Sequence, residues 1–310
     1  MFVGVERSGL IETFHEVVAA AVGPDGRVIA TLGADLERPF FLRSALKPFQ
    51  ALVSSRAGAD LRAESLAVAC ASHGGYPVHL AYVRSMLIEV GLDESALRCP
   101  PARPAARSAD RIAAVTGRDP APIFHNCSGK HAGMLRACVA QGWPLEYRPA
   151  DHPLQERVLD LAADVTGGEV APVGVDGCGV PTVRGTVVDL ARAFSRLATD
   201  DEFLEVRTAM ARFPALTAGL QRGDDEIARW IPGAVKGGAE ACLGIAWYGG
   251  VGIAAKAWSG NNQAVVVAAL AMAQRLGIVS PYQDEMLSSM ASPAVFGGGR
   301  RVGSMVLEGG

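Results

Sequence analysis

Lysine is scarce in this chain. Of 29 basic residues only Lys47, Lys130, Lys236 and Lys256 are lysines, and all the others are arginines. Arginine does not deprotonate, whereas a buried lysine can lose its proton and serve as base or ligand. A GC-rich coding bias accounts for the skew without invoking function, yet it also singles out the lysines that survive it. Each lies within three residues of a serine, a glycine or a cysteine, and at least three of the four are expected to do chemistry. Other absences exclude whole classes of partner. There is no run of five like charges and the net charge is −3, so no footprint for nucleic acid or an anionic membrane is present. No stretch approaches the ~18–20 apolar residues of a membrane span, and the start Met1-Phe2-Val3-Gly4-Val5-Glu6-Arg7 has no basic region followed by an apolar block. A cytoplasmic protein that binds small molecules or its own copies is expected. Six cysteines (Cys70, Cys99, Cys127, Cys138, Cys178 and Cys242) are scattered without paired spacing, which suits free thiols better than a disulfide framework.

What is present is ample core material, with 49% hydrophobic and 20% charged residues over 310 positions. Ile11 to Val22, the turn Gly23-Pro24-Asp25-Gly26 and Arg27 to Leu32 read as an antiparallel hairpin. Ala241 to Trp247 and Val251 to Trp258, joined by Tyr248-Gly249-Gly250, make a second, and Arg301 to Leu307 offers a final strand. Helices are predicted from about Ser44 to Ser55, Leu61 to Cys70, Leu80 to Val90, Ser128 to Gln141, Pro153 to Val165, Val188 to Leu197 and Asn261 to Leu276. Val170 to Val175 reads as a short buried strand, and the segment from Arg98 to Pro122, rich in proline, alanine and arginine, as a long loop or lobe boundary. Strands at both ends with helices between predict an α+β chain. Its antiparallel sheet comes from the N- and C-terminal parts, in one domain of residues 1–310 whose helical lobe covers roughly 61–235.

The stretch Arg43-Ser44-Ala45-Leu46-Lys47-Pro48 places a hydroxyl and an amine three residues apart. Proline is tolerated only in the first turn of a helix, so Pro48 predicts a helix opening near Ser44 to Lys47, with both side chains on one face. There a deprotonated lysine could take the serine proton, and helix N–H groups would favour developing anionic charge. The ordinary reading of an isolated S-x-x-K is a capping serine and a solvent-exposed lysine. Two further segments are dense in polar residues: His125-Asn126-Cys127-Ser128-Gly129-Lys130-His131-Ala132-Gly133 and Val175-Asp176-Gly177-Cys178-Gly179. Cys127, Lys130 and Cys178 could meet around a soft metal such as zinc, although buried apolar cysteines and tight glycine turns explain the same residues. Ser72, in Ser72-His73-Gly74-Gly75, is either a helix-end turn residue or a second hydroxyl. Lys256, inside an apolar strand, either snorkels from an edge or points into a site. Lys236-Gly237-Gly238 resembles the lysine-containing strand motif of serine β-lactamase-like enzymes. His15, His79 and His152 read as structural or surface histidines.

In this order the segments resemble the rhizobial-type, class 3 L-asparaginases. The resemblance runs from Val5-Glu6-Arg7-Ser8-Gly9 through Arg43-Ser44-Ala45-Leu46-Lys47-Pro48, Ala69-Cys70-Ala71-Ser72-His73, Asn126 to Met134 and Asp176-Gly177-Cys178-Gly179 to the strand of Lys256. It implies a serine amidohydrolase of β-lactamase-like fold, usually a homodimer, that converts L-asparagine and water to L-aspartate and ammonia. It implies Ser44 as nucleophile with Lys47 as base, and Ser72 with Lys256 as a second Ser-Lys pair. Cys127, Lys130 and Cys178 match zinc ligands, and Arg43, His131 and Asp176 match groups lining the substrate pocket. At Gly75-Tyr76 the chain departs from the expected small residue and glutamate. Rival readings are a glutaminase or β-lactam-type acyl hydrolase, and a non-catalytic zinc- or amino-acid-binding protein.

Overall fold

The computed structural model describes residues 1–217 and 223–309. Its strands are β1 (Phe2–Arg7), β2 (Leu10–Val22), β3 (Val28–Leu32), β4 (Phe40–Phe41), β5 (Gly174–Val175), β6 (Pro181–Thr182), β7 (Arg184–Gly185), β8 (Gly233–Gly238), β9 (Cys242–Trp247), β10 (Val251–Ala257), β11 (Ala294–Gly297) and β12 (Arg300–Glu308). Eight of these form one antiparallel sheet in the order β11-β12-β1-β2-β10-β9-β8, with β3 also paired to β2. The sheet is thus built from the two ends of the chain, as the hairpin signals predict, and the fold is α+β.

Both faces of the sheet centre are covered, which explains why β2 changes from alternating to continuously apolar along its length. Val17, Ala19 and Ala21 face the helix Asn262–Arg275, while Val18, Ala20 and Val22 belong to the core on the opposite side. On that side the helix Val187–Thr199, opened by a capping box between Thr186 and Asp189, lies across β2, β9 and β10. Glycine lets it approach closely: a Cβ on Gly252 would stand 2.1 Å from Ala191 O. Phe194 fills the space above Gly244, and truncating such a fully buried ring typically costs about 3–5 kcal/mol.

Two segments depart from the sequence expectation. The prolines between Arg98 and Pro122 all lie before residue 105 or after residue 119, and the proline-free centre forms a helix, Arg107–Val115. Conversely, Val170 to Val175 yields only the two residues of β5, because Pro172 has no N–H for a ladder, and Val175 is exposed rather than buried. Short helices at Leu204–Arg212, Gly223–Trp230 and Pro281–Ala291 add to those expected. All six cysteines are free and buried. Among the described residues, no helix is long and apolar enough to cross a membrane.

Candidate active site

Pro48 occupies the first turn of the helix Lys47–Ser54, as expected, but Ser44 lies one turn earlier, in a 3-10 turn spanning Arg43–Leu46. The helix is preceded by Leu46 and has no side-chain cap, so Ser44 is not a capping serine. Lys47 is fully buried and does not reach solvent. Both halves of the ordinary S-x-x-K reading are therefore excluded. The entry to the turn is strained. Arg43 has φ +50°, a left-handed conformation that costs a non-glycine residue of order 1–3 kcal/mol. The surroundings impose it: β4 pairs with β7, Leu42 N–H donates to Val183 O at 3.0 Å, and Arg43 Nε donates to Asp176 Oδ1 at 2.6 Å. From the other side β8, the edge strand of the sheet, presses on the turn. A Cβ on Gly238 would lie 2.5 Å from Cys242 Sγ, 3.0 Å from Leu42 O and 3.2 Å from Ala45 N.

Lys47 Nζ donates to Ala71 O at 2.6 Å and contacts Ser72 Oγ at 2.9 Å. Ser72 follows the helix Ala63–Ala69, is itself buried, and is anchored by its N–H to Thr217 O at 3.1 Å. A second buried amine lies in the same region. Lys236, on β8, donates to Gly237 O at 2.9 Å and pairs with Asp224 at 3.4 Å. Burial pushes the Cys70 thiol, two residues before Ser72, up to about 12, and the charges that oppose this are Lys236 and then Lys47.

Cys127, Lys130 and Cys178 come together. Cys127 stands just before the helix Ser128–Gln141, Lys130 and His131 are in its first turn, and Cys178 is on the glycine-bounded turn after β5. Lys130 Nζ contacts Cys178 Sγ at 3.3 Å, and the Cys127 thiol donates to Asn126 Oδ1 at 3.1 Å. Interaction with Cys127 and the charge of Lys130 hold the Cys178 thiol far below its ordinary range against burial; Cys127 is raised by its interaction with Cys178 and by burial. Burial works against charge on Lys130, but Cys178, Cys127 and Asp176 raise its pKa overall. His131, fully buried, has its pKa lowered by desolvation; its Nδ1 is 2.6 Å from the Tyr147 hydroxyl, and its Nε2 lies against Cys178 outside direct hydrogen-bond geometry. Two thiols and an amine with a buried, unpartnered imidazole nitrogen beside them suit a soft divalent cation, which would displace their protons on binding. Among the described residues no three His, Cys, Asp or Glu side chains gather for a metal. Asp176 joins the two centres, bonded to Arg43 through Oδ1 and 3.8 Å from Cys178 Sγ through Oδ2.

The profile of the L-asparaginase II family matches residues 3–307. The chain belongs to the L-asparaginase II family. This agrees with the resemblance drawn from the Ser-Lys, cysteine-lysine and Asp-Gly-Cys-Gly segments. Among solved structures, the native form of a protein called Mglu is 16% identical with a TM-score of 0.46, over 84% of this chain and 64% of that one. Its form with tris and glutamate is 16% identical with a TM-score of 0.48, over 89% and 63% respectively. The chain therefore spans less than two thirds of the length of these structures, and a likeness of this depth speaks to neither chemistry nor substrate. A comparison with curated proteins finds no match.

Within this L-asparaginase II family chain, the expected pairing of Ser72 with Lys256 is not among the hydrogen bonds of the described residues. Ser72 meets Lys47, not Lys256. The Lys256 ammonium donates to Glu240 O at 2.6 Å and to Ala257 O, and it lies 5.1 Å from the Trp258 ring centroid and 5.8 Å from that of Phe40. In the sheet β10 is an inner strand, whereas β8 is the edge strand against the Ser44 turn. The Lys236-Gly237-Gly238 motif was the available signal. At the departure from the family pattern, Gly75 has φ +79° and the Tyr76 hydroxyl meets Ser108 Oγ at 3.0 Å. His15 contacts Ser259 and His152 caps the helix Pro153–Thr166, as structural histidines would. Asp224 and Tyr147 carry no local motif, and only the folded chain places them beside Lys236 and His131.

Proposed function

We propose that the chain hydrolyses L-asparagine to L-aspartate and ammonia through an acyl-enzyme on Ser44. What carries this reading is the buried Lys47, in the turn after Ser44 and 2.9 Å from Ser72, in a chain of the L-asparaginase II family. Lys47 takes the Ser44 proton as the hydroxyl attacks the side-chain amide. Ser72, bonded to Lys47, passes a proton to the leaving ammonia, with Lys236 rather than Lys256 as the second amine of the site. Backbone N–H groups of the Arg43–Leu46 turn stabilise the oxyanion, a contribution of about 2.7–4 kcal/mol per donor in other enzymes. Water then cleaves the ester and frees Ser44. Arg43 and Asp176, paired at 2.6 Å, offer opposite charges to the two ends of an amino acid, and His131 is a pocket residue on the resemblance alone.

Cys127, Lys130 and Cys178 would hold zinc, which when bound would act as a Lewis acid that organises the pocket and the polar end of the substrate. A homodimer in the cytoplasm belongs to the same reading and rests on the resemblance alone. The test is an ammonia-release assay on asparagine beside glutamine, and turnover of a chromogenic β-lactam, each with and without added zinc. Asparagine is expected to be the preferred substrate, with higher rates in zinc. Tight binding of asparagine without ammonia release under any condition would replace the enzyme by a binding protein.

A further inference from the structure

We infer that Lys256 is a positioning residue: its ammonium anchors the strained turn between β8 and β9 and, through Gly238 and Cys242, holds the Ser44 turn in place. Glu240 and Ala241 have φ +60° and +55°, two successive left-handed residues where hairpins normally place Asn-Gly or Gly-Gly. Residues with a side chain rarely adopt this conformation unless their surroundings impose it. Here the imposing contacts come from the end of β10. Lys256 Nζ donates to Glu240 O at 2.6 Å, and the Ala257 N–H donates to Ala241 O at 3.0 Å. Gly238 and Cys242, paired across β8 and β9, bracket this turn, and both meet the serine turn. A Cβ on Gly238 would lie 3.2 Å from Ala45 N, and Cys242 Sγ lies 3.4 Å from Leu42 O.

Lys256 stands directly opposite Cys242 in the ladder between β10 and β9 and is only 5% exposed. Acceptors surround its nitrogen: the carbonyls of Glu240 and Ala257, the Trp258 ring at 5.1 Å and the Phe40 ring at 5.8 Å. Burial lowers the Lys256 pKa, and these acceptors oppose that by favouring the charged form. Phe40 stands edge-on to Trp258 at 6.0 Å between centroids and belongs to β4, the strand that runs into Leu42 and Arg43. One ammonium therefore lies against both the turn beside the serine and the strand that leads to it. The consequence for turnover rests on the proposed hydrolysis at Ser44; the anchoring of the backbone does not.

The deciding experiment compares three forms of the full chain. Beside wild type stand Lys256→Met, which keeps the stem and removes the ammonium, and Lys256→Met combined with Glu240→Gly and Ala241→Gly, which frees the turn from its need of an anchor. Hydrogen exchange is followed at the Leu42 and Ala45 amides, bonded to Val183 O and Leu42 O, together with kcat and KM for asparagine. Lys256→Met should speed exchange at both amides about tenfold or more, the worth of a hydrogen bond to a charged group, and lower kcat about 10–100-fold with KM little changed. The two glycines should restore both. Unchanged exchange at Leu42 and Ala45 in folded Lys256→Met overturns the inference. So does a kcat that the glycines fail to restore, since the lysine would then act otherwise than through the turn. If Lys256→Met does not fold, the glycine variant decides alone: near-wild-type exchange and kcat uphold the anchor, and failure to fold or to turn over asparagine overturns it. No ammonia release by wild type would sink the hydrolase reading, while the exchange rates still decide the role of Lys256.

Discussion

Lys47 Nζ lies 2.9 Å from Ser72 Oγ, although it is Ser44 that shares its S-x-x-K segment. The buried amine thus contacts the hydroxyl of a loop 25 residues on, while Ser44 lies in the turn that precedes it. The two serines should respond differently to removal. Ser44→Ala is expected to abolish both ammonia release and any covalent acyl adduct seen by intact mass. Ser72→Ala should still acylate while kcat falls about 10²–10⁴-fold, the usual reach of a proton-transfer group. Retention of full activity by Ser44→Ala would remove it from the role of nucleophile.

The sequence made the Ser44–Lys47 spacing and the small residues of both polar segments visible, because helical periodicity and proline placement are local. It could not show that Ser72 turns to Lys47, since that contact depends on how the Ala63–Ala69 helix ends against the Lys47–Ser54 helix. Nor could it rank Lys256 against Lys236, for a related reason. Both stand in strands with small neighbours, and only sheet order tells an edge strand from an inner one. The outer hairpins were legible from alternation and turn residues. The Arg107–Val115 helix was not, because its flanking prolines dominated the composition of the window.

Gly238 sets the distance between β8 and the serine turn. Alanine there would place its Cβ 3.0 Å from Leu42 O and 2.5 Å from Cys242 Sγ, and the backbone oxygen cannot rotate away. Gly238→Ala is expected to cost about 1–3 kcal/mol of stability from overpacking and to lower kcat by displacing the Ser44 turn. Urea unfolding beside steady-state kinetics measures both. Unchanged kinetics in a destabilised variant would mean that β8 supports the turn without shaping the reaction.

The Arg43–Asp176 pair links the serine turn to the cysteine-lysine cluster, and both partners are largely shielded, at 24% and 9% side-chain exposure. Asp176→Asn keeps the shape but loses the charge that balances Arg43 in its left-handed conformation. The expected loss is about 1.5–3 kcal/mol, the range for a hydrogen bond to a charged group. KM for asparagine should rise with it. Equal unfolding midpoints for variant and wild type would show that the pair does not hold the turn.

His79 gives the fold a defined sensitivity to acid. It is buried against His73, with ring centroids 5.1 Å apart; its Nε2 donates to Ala215 O at 3.2 Å, and Nδ1 has no partner among the described residues. Burial lowers its pKa below 6.5, against a smaller opposing effect of the Ala215 bond. Below 6.5 the unfolded chain therefore binds a proton that the folded chain excludes. The stabilising contribution is complete above that pH and is lost as pH falls through the lowered folded value, with a slope of at most about 1.4 kcal/mol per pH unit. His79→Gln retains an N–H donor but cannot titrate. Urea midpoints of the two proteins should run parallel above about pH 7 and converge toward about pH 5, with wild type falling faster. Curves that stay parallel throughout would mean that His79 is protonated alike in the folded and unfolded chain.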